Sequence, residues 1–170
     1  RIGLRPFREG FATPAFDDGT RLAVEGARLG WVPGESVAIT TVRDAATWAG
    51  VVLSSDPGVG ADLPPFAPDA PLTVDEAASR ALGAWYAFGQ QVLDGLRTQG
   101  ATLGEISEPQ LWPEHFDLAV IVELAESGRA VNVGCSPGDA DHEEPYVYVG
   151  PHDLTGLTGD YWNAPFGALL

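Results

Sequence analysis

The chain has 170 residues, of which 24 are acidic and nine are arginine, and it contains no lysine. The resulting formal net charge of −15 disfavours nucleic acid as a partner, because a polyanionic protein repels phosphates. The single cysteine, Cys135, excludes an internal disulfide framework and a multi-cysteine zinc site.

Length and an apolar content of 45% predict a single domain over residues 1–170 with a sizeable core. No apolar run is long enough for a transmembrane helix, so membrane association is not expected. We expect a cytoplasmic protein. Because the sequence begins at Arg1, without a methionine or a signal-like segment, export stays open as an alternative.

The first part of the chain, residues 1–53, is predicted to form an antiparallel β-meander. Residues 1–19 are rich in breakers and read as irregular. Apolar and β-branched runs at 21–32, 36–42 and 48–53 indicate three strands, the first interrupted at Gly26.

A proline-rich connection follows over residues 54–71. It carries five prolines, which exclude a helix and disfavour a central strand. We interpret it as a linker between two halves of one domain.

Residues 72–100 give the clearest helix signal in the chain. Thr73 and Glu76 fit a capping box, and apolar residues recur at three- and four-residue steps. The stripe expected to be buried consists of Ala78, Leu82, Trp85, Val92 and Leu96. Glycines within the helix lower its propensity, but they allow it to lie close against a sheet.

A second meander and tail are predicted over residues 111–170. Residues 116–124 alternate, with Leu118, Val120 and Val122 on the core face. A turn at 127–128 leads to a return strand at 130–135, and residues 145–149 form a third strand. Helices segregated from antiparallel strands define the α+β class, here with about six strands packed around one long central helix.

Four motifs in this second half occur in order: LWPEHFDLA, GCSPGD, EEPYVYV and YWNAPFGA. Their combination resembles an uncharacterised actinobacterial protein family, over roughly a third of the chain. The resemblance implies that the motifs belong to one unit, and it implies no activity.

Strand pairing predicts that polar and aromatic residues of these motifs converge on one rim. His115 and Asp117, two residues apart, are expected to share a face opposite the core stripe. The preferred interpretation is a pocket for a small molecule or a protein partner. Its expected lining is Trp112, His115, Asp117, Ser136, Tyr146 and Tyr148, with Trp162 nearby.

A divalent metal site is the second interpretation. Imidazole and carboxylate ligands suit Zn, Mn or Fe, and the candidate set is His115, Asp117, Asp139 and Glu144. A carboxylate-only set from Asp139, Asp141 and Glu143 would suit Ca. The alternative function is a metal-dependent enzyme that uses His115, Asp117 and a carboxylate from residues 139–144.

Three further alternatives stay open. Cys135 or Ser136 could act as a nucleophile, with His115 as base and Asp117 as its orienter. The cluster could instead be turns and a solvated acidic loop, in a structural or oligomerising subunit whose oligomeric state the sequence does not reveal. Arginines near the front of the chain could bind an anion, although no glycine-rich phosphate loop is present.

Overall fold

The computed structural model describes residues 3–54, 66–113 and 115–170. It has the predicted α+β class, with two antiparallel sheets, one long helix and one short helix. The described residues form eleven strands rather than the expected six. The chain divides into two compact units, Arg1–Ala84 and Trp85–Leu170, with the division inside the long helix. The predicted single domain stays a prediction.

The N-terminal unit contains a five-stranded meander in which each strand pairs with the next along the chain. Its strands are β1 (Arg5–Phe7), β2 (Gly10–Ala12), β3 (Arg21–Glu25), β4 (Arg28–Val32) and β5 (Ser36–Ala38). The expected strand at 21–32 is therefore a hairpin, because Gly26 takes a positive φ of +57° and reverses the chain. The segment predicted to be irregular contributes β1 and β2.

The prediction of a third strand at 48–53 is wrong, because helix α1 (Val42–Ala49) includes the beginning of that segment. The Thr41 side chain caps α1 by accepting a hydrogen bond from the Asp44 backbone N–H at 3.0 Å. Gly50, with a φ of +73°, ends it in the left-handed conformation. Most of the predicted linker at 54–71 lies outside the described residues.

Helix α2 (Glu76–Gln99) begins later than the capping box predicts. Asp75 is the capping side chain, because its Oδ1 accepts the backbone N–H groups of Ala77 and Ala78 at 2.8 and 3.0 Å. The buried stripe also differs in phase from the prediction: Ala78 and Val92 are exposed, whereas Leu82, Trp85 and Leu96 are half-buried. The fully buried positions are Gly83, Tyr86, Gly89 and Leu93.

The glycines of α2 allow close packing, as expected. A Cβ at Gly89 would lie 3.1 Å from Sγ of Cys135 and 3.3 Å from Cδ2 of Leu118. The helix backbone therefore rests directly on the core face of the C-terminal sheet at this point. The fully buried ring of Tyr86 contacts Phe116 edge-on, and its hydroxyl donates to the Phe116 carbonyl at 2.6 Å.

The C-terminal unit contains a six-stranded antiparallel sheet of order β11-β10-β9-β8-β6, with β7 also pairing with β8. Its strands are β6 (Gly104–Ile106), β7 (Gln110–Trp112), β8 (Asp117–Leu124), β9 (Ala130–Ser136), β10 (Tyr146–Pro151) and β11 (Ala168–Leu169). The predicted hairpin turn between β8 and β9 is confirmed, with Gly128 at a φ of +64°. Leu118, Val120 and Val122 are buried, which confirms the core face of β8.

No helix among residues 3–54, 66–113 and 115–170 combines the length and the apolar character needed to span a bilayer.

Candidate ligand-binding cleft

A cleft of about 940 Å³ lies on the C-terminal sheet, on the face opposite the one that packs against α2. Side chains alternate between the two faces of a strand, so Leu118 and Cys135 face the helix while their neighbours Asp117 and Ser136 face the cleft. The register pairs Ser136 with Tyr146, which adds the tyrosine to the same face. The loop after β9 and the Pro165–Phe166 segment complete the walls.

Asp117 and Tyr148 form a hydrogen-bonded pair at the floor of the cleft. The Tyr148 hydroxyl donates to Oδ2 of Asp117, a carboxylate of which only 6% is exposed. Burial, and then the charge of Asp117, hold the pKa of the Tyr148 hydroxyl far above its usual value. Tyr148 is therefore a hydrogen-bond donor, not a nucleophile or a base.

The loop that follows β9 is folded around Asp139. Its Oδ1 accepts the backbone N–H groups of Asp141 at 2.9 Å and His142 at 2.8 Å. Its Oδ2 accepts the hydroxyl of Tyr146 at 2.6 Å. The Tyr146 hydrogen bond and the backbone N–H of His142 hold the pKa of Asp139 below its usual value, so it remains a carboxylate at neutral pH.

Aromatic rings form one wall of the cleft. Tyr146 stacks on Phe166 with ring centroids 6.4 Å apart, and Tyr148 meets Phe166 edge-on at 6.0 Å. The ring of His142 approaches Tyr146 edge-on at 5.6 Å. Phe166 keeps 36% of its surface exposed, so an apolar surface is open to a molecule in the cleft.

His115 lines the cleft, but the predicted strand alternation is not the reason. Strand β8 begins at Asp117, and Phe116 before it has a φ of +57°, so strand alternation does not extend to His115. His115 lies in an exposed turn, and it lines the cleft together with Asp117. Five predicted pocket residues thus meet at one cleft: His115, Asp117, Ser136, Tyr146 and Tyr148.

Four residues that the sequence analysis placed at the pocket or in a metal set are not among those that line the cleft: Trp112, Glu143, Glu144 and Trp162. The metal interpretation is weakened further, because no group of three or more His, Cys, Asp or Glu within the described ranges is arranged to hold a metal ion. The proposed tetrad of His115, Asp117, Asp139 and Glu144 is therefore not brought together as a ligand set.

The nucleophile interpretation fails for Cys135. Its side chain lies on the core face beneath Gly89, fully buried, whereas Asp117 and His115 line the cleft on the other face. Burial also raises the pKa of the Cys135 thiol to about 11, which keeps it protonated. Oγ of Ser136 accepts the backbone N–H of Gly138 at 3.2 Å, which is the role of a turn residue.

The sequence analysis did not assign several cleft residues to a site: Asn132, His142, His152, Pro165 and Phe166. His152 follows β10, and its Nε2 lies 3.0 Å from Oδ1 of Asn132. Asn132 shares strand parity with Ser136, a signal that could have identified it. All three histidines of the chain line this cleft.

Two arginines near the front of the chain, Arg8 and Arg28, are engaged within the N-terminal unit. A smaller concavity of about 400 Å³ there is lined by Arg8, Arg28 and Arg80 together with three glutamates. Arg8 pairs with Glu25 at 2.9 Å, and Arg28 donates to Oγ of Ser36 at 2.9 Å. The charges that line this concavity balance, so it carries no excess that would attract an anion.

Comparisons with protein-family models, with curated proteins and with solved structures gave no significant match. The family resemblance of the four motifs stays a prediction.

Proposed function

We propose that the protein binds a small organic molecule in the cleft of the C-terminal sheet. The observation that carries the proposal is the exposed surface of Phe166 beside the carboxylates of Asp117 and Asp139 in one cavity. Ligand sites combine a mainly apolar wall with a few polar groups that fix orientation. At about 940 Å³, the cleft is within the range of small-molecule sites.

The polar groups of the cleft favour a ligand that donates hydrogen bonds or carries a positive charge. Asp117 and Asp139 are acceptors, and their Oδ2 atoms already receive the hydroxyls of Tyr148 and Tyr146. These bonds fix the direction of both carboxylates before a ligand arrives, which lowers the entropic cost of binding. A flat or apolar part of the ligand would contact Phe166.

Protein-observed NMR with a library of small aromatic and aliphatic amines, alcohols and acids tests this function. Compounds that bind should shift the backbone resonances of Tyr148 and Phe166. The variant Phe166→Ala should lower their affinity by about tenfold, because it removes a main apolar contact. Phe88→Ala is the matched control, because Phe88 is a similarly exposed phenylalanine outside the cleft. A library in which no compound perturbs the cleft resonances would contradict the proposal.

A further inference from the structure

The charged side chains that line the cleft are unbalanced. Asp117, Asp139 and Asp141 contribute three carboxylates. Among the described residues that line the cleft there is no arginine, and the chain contains no lysine. The fixed charge of the cleft lining is therefore negative at neutral pH. This contrasts with the N-terminal concavity, where arginines and glutamates balance.

The same cleft presents aromatic surface next to these charges. Tyr146 carries both features, because its hydroxyl bonds to Asp139 while its ring stacks on Phe166. The face of an aromatic ring attracts a cation, and a nearby carboxylate adds to this attraction. An organic ammonium group carries apolar carbon substituents as well as a positive charge. Aromatic rings contact the substituents, and carboxylates neutralise the charge.

We propose that the ligand of this cleft is an organic cation, an alkylated amine or quaternary ammonium compound, held between the Tyr146–Phe166 wall and the carboxylates of Asp139 and Asp141. This inference rests on the proposed ligand-binding function and names its ligand class. A bare metal ion is a poor alternative, because within the described residues no group of three or more ligating side chains is arranged to hold one. An organic ammonium needs no such close ligation.

The test compares two cation–neutral pairs of matched shape: choline with 3,3-dimethylbutan-1-ol, and benzylamine with benzyl alcohol. Titrations followed by NMR at pH 7.5 and low ionic strength should show each cation binding about tenfold more tightly than its alcohol. Added salt should reduce the difference, because screening weakens the charge contribution.

Asp141→Asn separates charge from shape. Asp141 is exposed, and its backbone N–H rather than its carboxylate bonds to Asp139, so the loop should keep its fold. The variant should weaken binding of choline several-fold and leave binding of the alcohols unchanged. Asp160→Asn is the matched control, an exposed aspartate of the same unit that does not line the cleft.

The outcomes distinguish the two proposals. Equal affinity for cation and alcohol would overturn the inference while leaving the ligand-binding function in place. Failure of both cations to bind would also overturn it, and the library screen then decides the function separately. Equal loss of choline binding in Asp141→Asn and Asp160→Asn would show that only the overall charge of the protein matters, which contradicts a specific site.

Discussion

The ring of Tyr148 lies over Gly134, its register partner on the neighbouring strand. A Cβ at position 134 would come within 2.6 Å of the phenol ring and its oxygen. The missing side chain lets Tyr148 reach from β10 across β9 to the carboxylate of Asp117 on β8. The hydrogen bond between Tyr148 and Asp117 therefore links β10 to β8 across β9, and it depends on the absence of a side chain at Gly134.

Replacing Tyr148 by phenylalanine should destabilise the fold. The change removes a hydroxyl that donates to the buried carboxylate of Asp117. A hydrogen bond to a charged group contributes about 1.5–3 kcal/mol, and we expect the free energy of unfolding in urea to fall by about that amount. Tyr161→Phe, at a tyrosine that is 51% exposed, should stay within about 0.5 kcal/mol of the parent. Equal losses in the two variants would contradict a special role for the Asp117 contact.

Gly134→Ala should act through Tyr148. The added methyl group cannot occupy its place while the ring is 2.6 Å away, so the ring must move and its bond to Asp117 must weaken. We expect a loss of stability in the parent and a smaller loss in a Tyr148→Phe background, because contacting sites are not additive. Urea unfolding of the four proteins in the cycle measures this coupling. Strict additivity would mean that the ring and the glycine are independent.

Two glycines of α2 should respond in opposite ways to alanine. At Gly95 an added Cβ would meet only Nε2 of Gln99 at 4.0 Å, so Gly95→Ala should raise the free energy of unfolding by about 0.5–1 kcal/mol through better helix propensity. At Gly89 the Cβ would press on Cys135 at 3.1 Å, and this crowding should cancel or reverse the gain. Thermal unfolding of the two variants side by side provides the measurement. A larger gain at Gly89 than at Gly95 would show that the helix does not rest on Cys135.

Strands β8, β9 and β10 of the C-terminal sheet were predictable because their residues alternate and glycine turns follow β8 and β9. Strands β6, β7 and β11 were not predicted, because segments of two or three residues are too short to show alternation. Val120 and Val122 mark the core face, and Gly128 marks the hairpin. The same pattern brought most of the polar and aromatic residues to one rim. Phe166 was not predicted to line the pocket, because the prediction used three strands that do not include it. Only the tertiary fold brings its ring over Tyr146.

Helix α1 was missed because its two ends lie in the apolar runs at 36–42 and 48–53, which were interpreted as strands. Its actual signals were local: a threonine at position 41, an acidic residue three positions later and a glycine at position 50. The phase of α2 was misread for a related reason. Apolar side chains were expected to mark the buried face, but Gly83 and Gly89 occupy it, since close approach of the backbone buries them instead.

The contact between Gly89 and Cys135 gives the protein an internal reporter. The chain has one thiol, and it is sealed under the backbone of α2. A water-soluble thiol reagent reaches that sulfur only when the helix lifts from the sheet. When the helix closes again faster than the reagent reacts, the rate of labelling equals the fraction of molecules in the open state multiplied by the reaction rate of an exposed thiol. The labelling rate of Cys135 therefore reports the motion of a single helix, which measurements of global unfolding do not resolve.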